Sequence, residues 1–142
     1  MKPRILFALT ATMAAYPTFA DDLSPGLWEI TMESRVEAAA SWEPSPFKLT
    51  QCLTANDARD PSRLVGSIST PGATGCKYSE RNYSGSTFQF VLDCSGSFGI
   101  KSRGGVTFSA TSFSGEITAT GKVGGETTEF KNKVSGTRIG DC

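Results

Sequence analysis

The sequence predicts a mainly β domain: a curved antiparallel β-meander or open barrel of about seven strands, with one or two short helices between strands 2 and 3. Three observations lead there. Apolar and polar residues alternate along much of the chain, the period of a strand with one wet face. Gly, Ser, Thr and Phe are abundant and long helical periodicity is missing. Four cysteines, Cys52, Cys76, Cys94 and Cys142, follow a leader-like N-terminus. An even set behind a leader reads as a two-disulfide framework in a small exported domain.

Lys2 and Arg4 form a short basic start, and Ile5 to Tyr16 is mostly apolar. That run is too short for a membrane span, which needs about 20 residues. Thr18-Phe19-Ala20 is close to the small-x-small cleavage pattern, so residues 1–20 are expected to be a cleavable signal peptide. The leader holds no cysteine, which closes the lipid-attachment route of bacterial lipoproteins. No later apolar run reaches spanning length, so no transmembrane segment is expected. Residues 21–142 then form a single domain, periplasmic or secreted. Without Lys2 and Arg4 the chain's 14 basic residues become 12 against 14 acidic ones, a net charge of −2. Nothing builds a basic stripe, so nucleic acid is not an expected partner.

Leu27 to Glu33 alternates cleanly, with Trp28, Ile30 and Met32 on one face and Glu29, Thr31 and Glu33 on the other. Residues 34–46 are small, polar and Pro-containing, which suits a long loop. Phe47, Leu49 and Gln51 alternate with Lys48, Thr50 and Cys52 in a second strand. Thr54 offers an N-cap, with Asp57 three residues on in place of the usual capping-box Glu. Ala55 to Arg59 then suits a helical turn stopped by Pro61, with a second turn around Ser62 to Val65. Gly66 to Gly75 reads as loop. From Cys76 onward the pattern is meander. Gly104-Gly105 suggests a bulge or sharp bend inside Phe98 to Phe108. Ser109 to Ser112 is a turn. Gly124-Gly125 is a two-residue hairpin signal that sets Ala119 opposite Phe130 and Gly115 opposite Val134.

Gly85 lies midway between Cys76 and Cys94. Folding back there places Cys76 opposite Cys94, Lys77 opposite Asp93 and Tyr78 opposite Leu92, combining opposed charges with an apolar pair. Opposed cysteines are within disulfide reach. A two-residue Ser84-Gly85 loop would slip this register by one and part the cysteines, so the pairing calls for a longer turn. Cys52–Cys142 then follows by elimination. Metal binding by the thiols is disfavoured, because the spacings are not C-x-x-C and the chain has no histidine.

Several segments together resemble the bacterial exported family catalogued as domain of unknown function 3617. They are Gly26-Leu27-Trp28-Glu29-Ile30, Thr50-Gln51-Cys52-Leu53-Thr54, Cys94-Ser95-Gly96, Phe113-Ser114-Gly115 and the ending Ser135-Gly136-Thr137-Arg138-Ile139-Gly140-Asp141-Cys142. The resemblance covers nearly all of residues 24–142 and implies a compartment and a fold, with no assigned activity. Many members are methionine-rich in their loops. Of Met1, Met13 and Met32 only the last survives cleavage, so a soft-metal role is not implied here. Gly26-x-Trp28 with a late Arg is also similar to the calycin pattern of lipocalins and avidins. By that analogy Arg138 stacks on Trp28 in a structural cation–π contact worth about 0.5–2 kcal/mol.

The absence of histidine removes the commonest general base and the commonest metal ligand. Glu29 and Glu33 read as a solvated strand face, as do Glu126, Glu129, Lys131 and Lys133. Neither Gly-Gly pair has the strand-to-helix context and Lys of a phosphate loop. No catalytic residue, metal or cofactor is therefore expected, and the chain reads as a non-enzyme. Two roles remain. One is a cell-envelope binding or interaction module whose partner is an unknown envelope protein. Trp42, in loop 34–46, is then either an interface anchor or a lid folded over the open end of the core. The other is a carrier of a small apolar ligand, lined by Phe88, Phe90, Phe108, Phe113 and Phe130. Those five rings equally suit a filled core.

Overall fold

In the computed structural model, described over residues 23–37, 44–70, 72–96 and 99–142, every strand turns back on its neighbour in one seven-stranded antiparallel sheet. In chain order the elements are β1 (Gly26–Val36), β2 (Phe47–Leu53), α1 (Ala55–Arg59), α2 (Pro61–Ser69), β3 (Cys76–Ser84), β4 (Thr87–Cys94), β5 (Ile100–Phe108), β6 (Ser112–Val123) and β7 (Glu126–Gly140). The spatial order is β2-β1-β7-β6-β5-β4-β3. The last strand therefore returns to lie against the first, and β2 and β3 are the two unpaired edges. The two helices connect those edges, and the sheet stays open between them.

Alternation fixes which face is buried. Trp28 and Ile30 of β1, Val134 of β7, Phe113 and Ile117 of β6, Val106 and Phe108 of β5, and Phe88, Phe90 and Leu92 of β4 form one apolar cluster. Leu53 joins from β2, and Leu64, Val65 and Ile68 close it from α2. Each such side chain contributes roughly 1.5–3 kcal/mol by leaving water. The opposite phase of the strands, including Glu29, Glu33, Glu116, Lys131 and Lys133, faces outward and is exposed.

The expected elements appear with four differences. β1 continues to Val36, so the following loop starts later than residue 34. The Thr54–Asp57 capping box forms as expected, the Thr54 hydroxyl accepting from the Asp57 amide and the Asp57 side chain taking the Thr54 amide. Pro61 does end α1, but it also opens α2 at its first position, where a missing N–H costs nothing. α2 runs on to Ser69, four residues into the expected loop. Burial of Leu64, Val65 and Ile68 outweighs the poor helix propensity of Gly66 and Ser67. Gly104-Gly105 is not a bulge: Gly104 pairs with Phe90 and Ile117, and Gly105 with Gln89 and Glu116, without a register shift.

The β3–β4 hairpin carries the fourth difference. Cys76, Lys77 and Tyr78 do face Cys94, Asp93 and Leu92. The turn, however, is the two-residue Gly85-Ser86, with Gly85 at φ 59°. Ser84 pairs with Thr87, which puts the turn half out of step with the cysteines. A bulge at Ser79, between Tyr78 and Glu80, takes up the extra residue. The longer turn is unnecessary because the strand itself corrects the register. At the other hairpin Gly124 and Gly125 both take positive φ, and Ala119 meets Phe130 as expected.

Candidate functional site

The cysteines form two disulfides, Cys52–Cys142 and Cys76–Cys94, with Cα separations of 5.6 and 3.9 Å. The first ties the chain end to the edge strand β2. The second locks the other edge strand, β3, to β4. No free cysteine remains. The thiols are consumed as staples at both margins of the sheet.

Trp28 and Arg138 stand opposite each other on β1 and β7, yet a stack between them is not among the cation–π contacts of the described residues. Trp28 is fully buried, lies 5.8 Å from the Phe113 ring in a stacked arrangement, and donates its indole N–H to the Ser24 carbonyl at 3.0 Å. Arg138 instead donates to the Pro25 carbonyl at 2.8 Å and pairs with Asp141. A Cβ on Gly26 would meet its guanidinium at 2.6 Å, so the arginine closes over that glycine. The strongest acceptors within reach are a carbonyl and a carboxylate, and they take the cation away from the ring. A cation–π contact does form elsewhere, with Arg81 over Tyr78 at 5.4 Å.

Phe88, Phe90, Phe108 and Phe113 are buried and pack on other rings. Phe88 lies 5.6 Å from Phe90 and Phe108 lies 5.9 Å from Phe113. Phe130 is half-buried, next to Ala119 near the β6–β7 turn. Trp42 and the expected signal peptide, residues 1–20, lie outside the described residues.

A polar cluster that no sequence motif marks joins α2 to β3. Tyr78 donates its hydroxyl to the Ser62 carbonyl at 2.5 Å, Arg81 donates to the Ser62 hydroxyl at 2.8 Å, and Tyr83 reaches the Asp60 carboxylate at 3.4 Å. These bonds clamp α2 to β3. Burial, with Tyr83 adding to it, pushes the Tyr78 phenol up to about 12. Asp60 is the hinge of the clamp, because it also caps α2 through the Ser62 amide. Only the packing of α2 on β3 makes the cluster, so spacing in the sequence offers no signal for it.

The outer face carries an open hollow of about 670 Å³. Glu80 and Asn82 of β3, Gln89 of β4, Arg103 of β5, and Glu116 and Thr118 of β6 surround it, with Gly104, Gly105 and the buried Phe90 completing the lining. Two smaller hollows of about 310 and 350 Å³ adjoin it on β1, β6 and β7, and Glu116 borders all three. The face holds carboxylates, cations and amides side by side. Among the described residues no three Cys, Asp or Glu side chains gather as a metal-holding group, and no helix is long and apolar enough to cross a membrane.

Fold and site together define a small disulfide-stapled domain, an open antiparallel sheet with a helical pair between its edges. The chain belongs to the family described as protein of unknown function (DUF3617), whose family model matches residues 23–142. No curated protein and no solved structure matches it.

Proposed function

We propose that this protein is an exported, non-catalytic binding or interaction module of the cell envelope. The observation that carries the reading is a division of labour between the two sheet faces. The core-face rings Phe88, Phe90, Phe108 and Phe113 are spent on one another, while the outer face offers open polar hollows. That division favours recognition on the outer face over carriage of an apolar ligand within the sheet. Two disulfides support export, since they persist in oxidising compartments. The chemistry supports a non-enzyme: without histidine, acid–base work would fall to the carboxylates, and those of the outer face are exposed.

Native mass spectrometry of the untagged protein, isolated from its own cell envelope, tests this reading. A stoichiometric partner is expected, on a chain whose mass is lower by about 4 Da than after reduction, two hydrogens per bridge. A co-purifying small apolar molecule would instead establish the carrier. Reduced cysteines in cytoplasmic protein would overturn the export.

A further inference from the structure

Glycine inside a strand costs roughly 0.5–1 kcal/mol relative to alanine, so each one asks for a reason. Two of the three glycines where β5 meets β6 have one. A Cβ at Gly104 would lie 2.3 Å from the Glu116 carbonyl oxygen, and one at Gly115 would lie 2.2 Å from the Gly105 carbonyl oxygen. The backbones approach so closely that both positions must stay bare.

Gly105 has no such reason. Its φ is not in the left-handed region. A Cβ there would meet only Gln89 Cγ at 3.7 Å and the Phe88 carbonyl oxygen at 3.9 Å, both ordinary contacts. Gly105 alternates with buried Val106, so its missing side chain would point outward, into the floor of the 670 Å³ hollow. The bare position keeps the hollow open, and close approach of a ligand to the backbone is one of the reasons a strand carries a glycine.

The lining says what kind of ligand fits. Glu80 and Glu116 supply acceptors, Arg103 supplies donors, and Asn82, Gln89 and Thr118 supply both. Among the described residues, none of these six side chains is engaged in a hydrogen bond or ion pair. Their hydrogen-bonding capacity is open to a ligand, while the charge of Glu116 also acts on Lys131. An anion would meet the two carboxylates, and a cation would meet the guanidinium. An apolar ligand would strand all six. A neutral ligand rich in hydroxyl groups, each both donor and acceptor, satisfies the set without opposing any charge. The hollow lies within the roughly 300–1,000 Å³ usual for ligand pockets.

We propose that the cleft over Gly105 binds a neutral, hydroxyl-rich ligand of the oligosaccharide class. This rests on the binding-module reading and adds the site and the ligand chemistry. The test is residue-resolved NMR titration of the full disulfide-bonded domain at millimolar ligand. The probes are an α-linked glucose oligomer, a β-linked glucose oligomer and a β-linked N-acetylglucosamine oligomer, with a short lysine peptide and a short glutamate peptide as charged competitors. At least one sugar is expected to shift the amides of Gly104, Gly105, Glu116 and Thr118. Gly105→Val, whose Cβ has room and whose residue type suits a strand, is expected to keep the fold and abolish the shifts. Arg103→Ala and Gln89→Ala are each expected to weaken binding about tenfold, the loss of one hydrogen bond of about 1.4 kcal/mol. The proposal is overturned if no sugar shifts these amides, if a charged peptide binds more tightly than every sugar, or if Gly105→Val binds as the native chain does. Absence of sugar binding by the native chain, with an envelope partner still captured, would sink the cleft and spare the binding module. Absence of both sugar binding and an envelope partner in the native chain would sink both.

Discussion

Neighbouring glycines in β5 show how one residue type serves opposite ends. Gly104 is bare because the Glu116 carbonyl occupies the place of its Cβ, whereas Gly105 is bare although space is available. Gly104→Ala is therefore expected to destabilise by about 1–3 kcal/mol through overpacking. Gly105→Ala is expected to be neutral or to stabilise by up to about 1 kcal/mol through lower unfolded-state entropy. Urea melts of the two variants check this, and equal losses in both would contradict it. Tyr78 gives a second test at this scale. Its folded pKa is raised to about 12 against an ordinary 10, so the unfolded chain releases the proton first as pH rises. The stability Tyr78 contributes is full below pH 10 and is lost between pH 10 and about 12. Phenolate absorption should show one tyrosine titrating near 12, and Tyr78→Phe should remove that step.

At the scale of elements, α1 has only five residues and cannot persist by propensity alone. Its capping box holds it. Thr54→Ala is expected to cost about 1 kcal/mol. The Thr54 hydroxyl and amide, bonded to the Asp57 carboxylate, hold its pKa below the ordinary value. The contribution of Asp57 is thus present above the unfolded pKa near 4 and is lost as pH falls through the lower folded value. Asp57→Asn should flatten that part of the acid limb of a stability–pH curve; an unchanged limb would refute the box's role. Register in β3–β4 follows the same rule of local devices with distant effects. The bulge at Ser79 lets a tight Gly85-Ser86 turn coexist with facing cysteines. The expected Lys77–Asp93 facing pair is present in register, while the ion pair of Asp93 goes to Lys101 on the other side, at 3.5 Å.

For the whole molecule the two staples differ in reach. Cys52–Cys142 closes 90 residues and Cys76–Cys94 closes 18. Loop-closure entropy then predicts that replacing the first pair with serine costs about 4.6 kcal/mol and the second about 3 kcal/mol. Denaturant unfolding of the two double variants measures the order, and the reverse order would show that the short bridge acts through the native state. Both bridges sit at sheet margins, where unpaired strands are most exposed to slippage and aggregation.

Much of this fold is legible in one dimension. Period-two alternation identifies Trp28, Ile30, Phe113 and Ile117 as one buried face, because a strand's pleat is set by its own residues. Gly124-Gly125 and the Thr54 cap are equally local, and their turn and helix start form where the sequence places them. The extent of α2 is not local, since Gly66 and Ser67 oppose a helix that only burial of Ile68 beyond them sustains. Nor is the fate of Arg138, which faces Trp28 in register but finds better acceptors at Pro25 and Asp141. The outer cleft is furthest from the sequence. Glu80, Gln89, Arg103 and Glu116 belong to four different strands and become neighbours only through the β3-β4-β5-β6 order. Sequence determined the strands and their wet and dry faces, since each follows from short-range sterics and alternation. Tertiary structure decided which side chains meet across strands, because that depends on register, bulges and burial summed over the whole sheet.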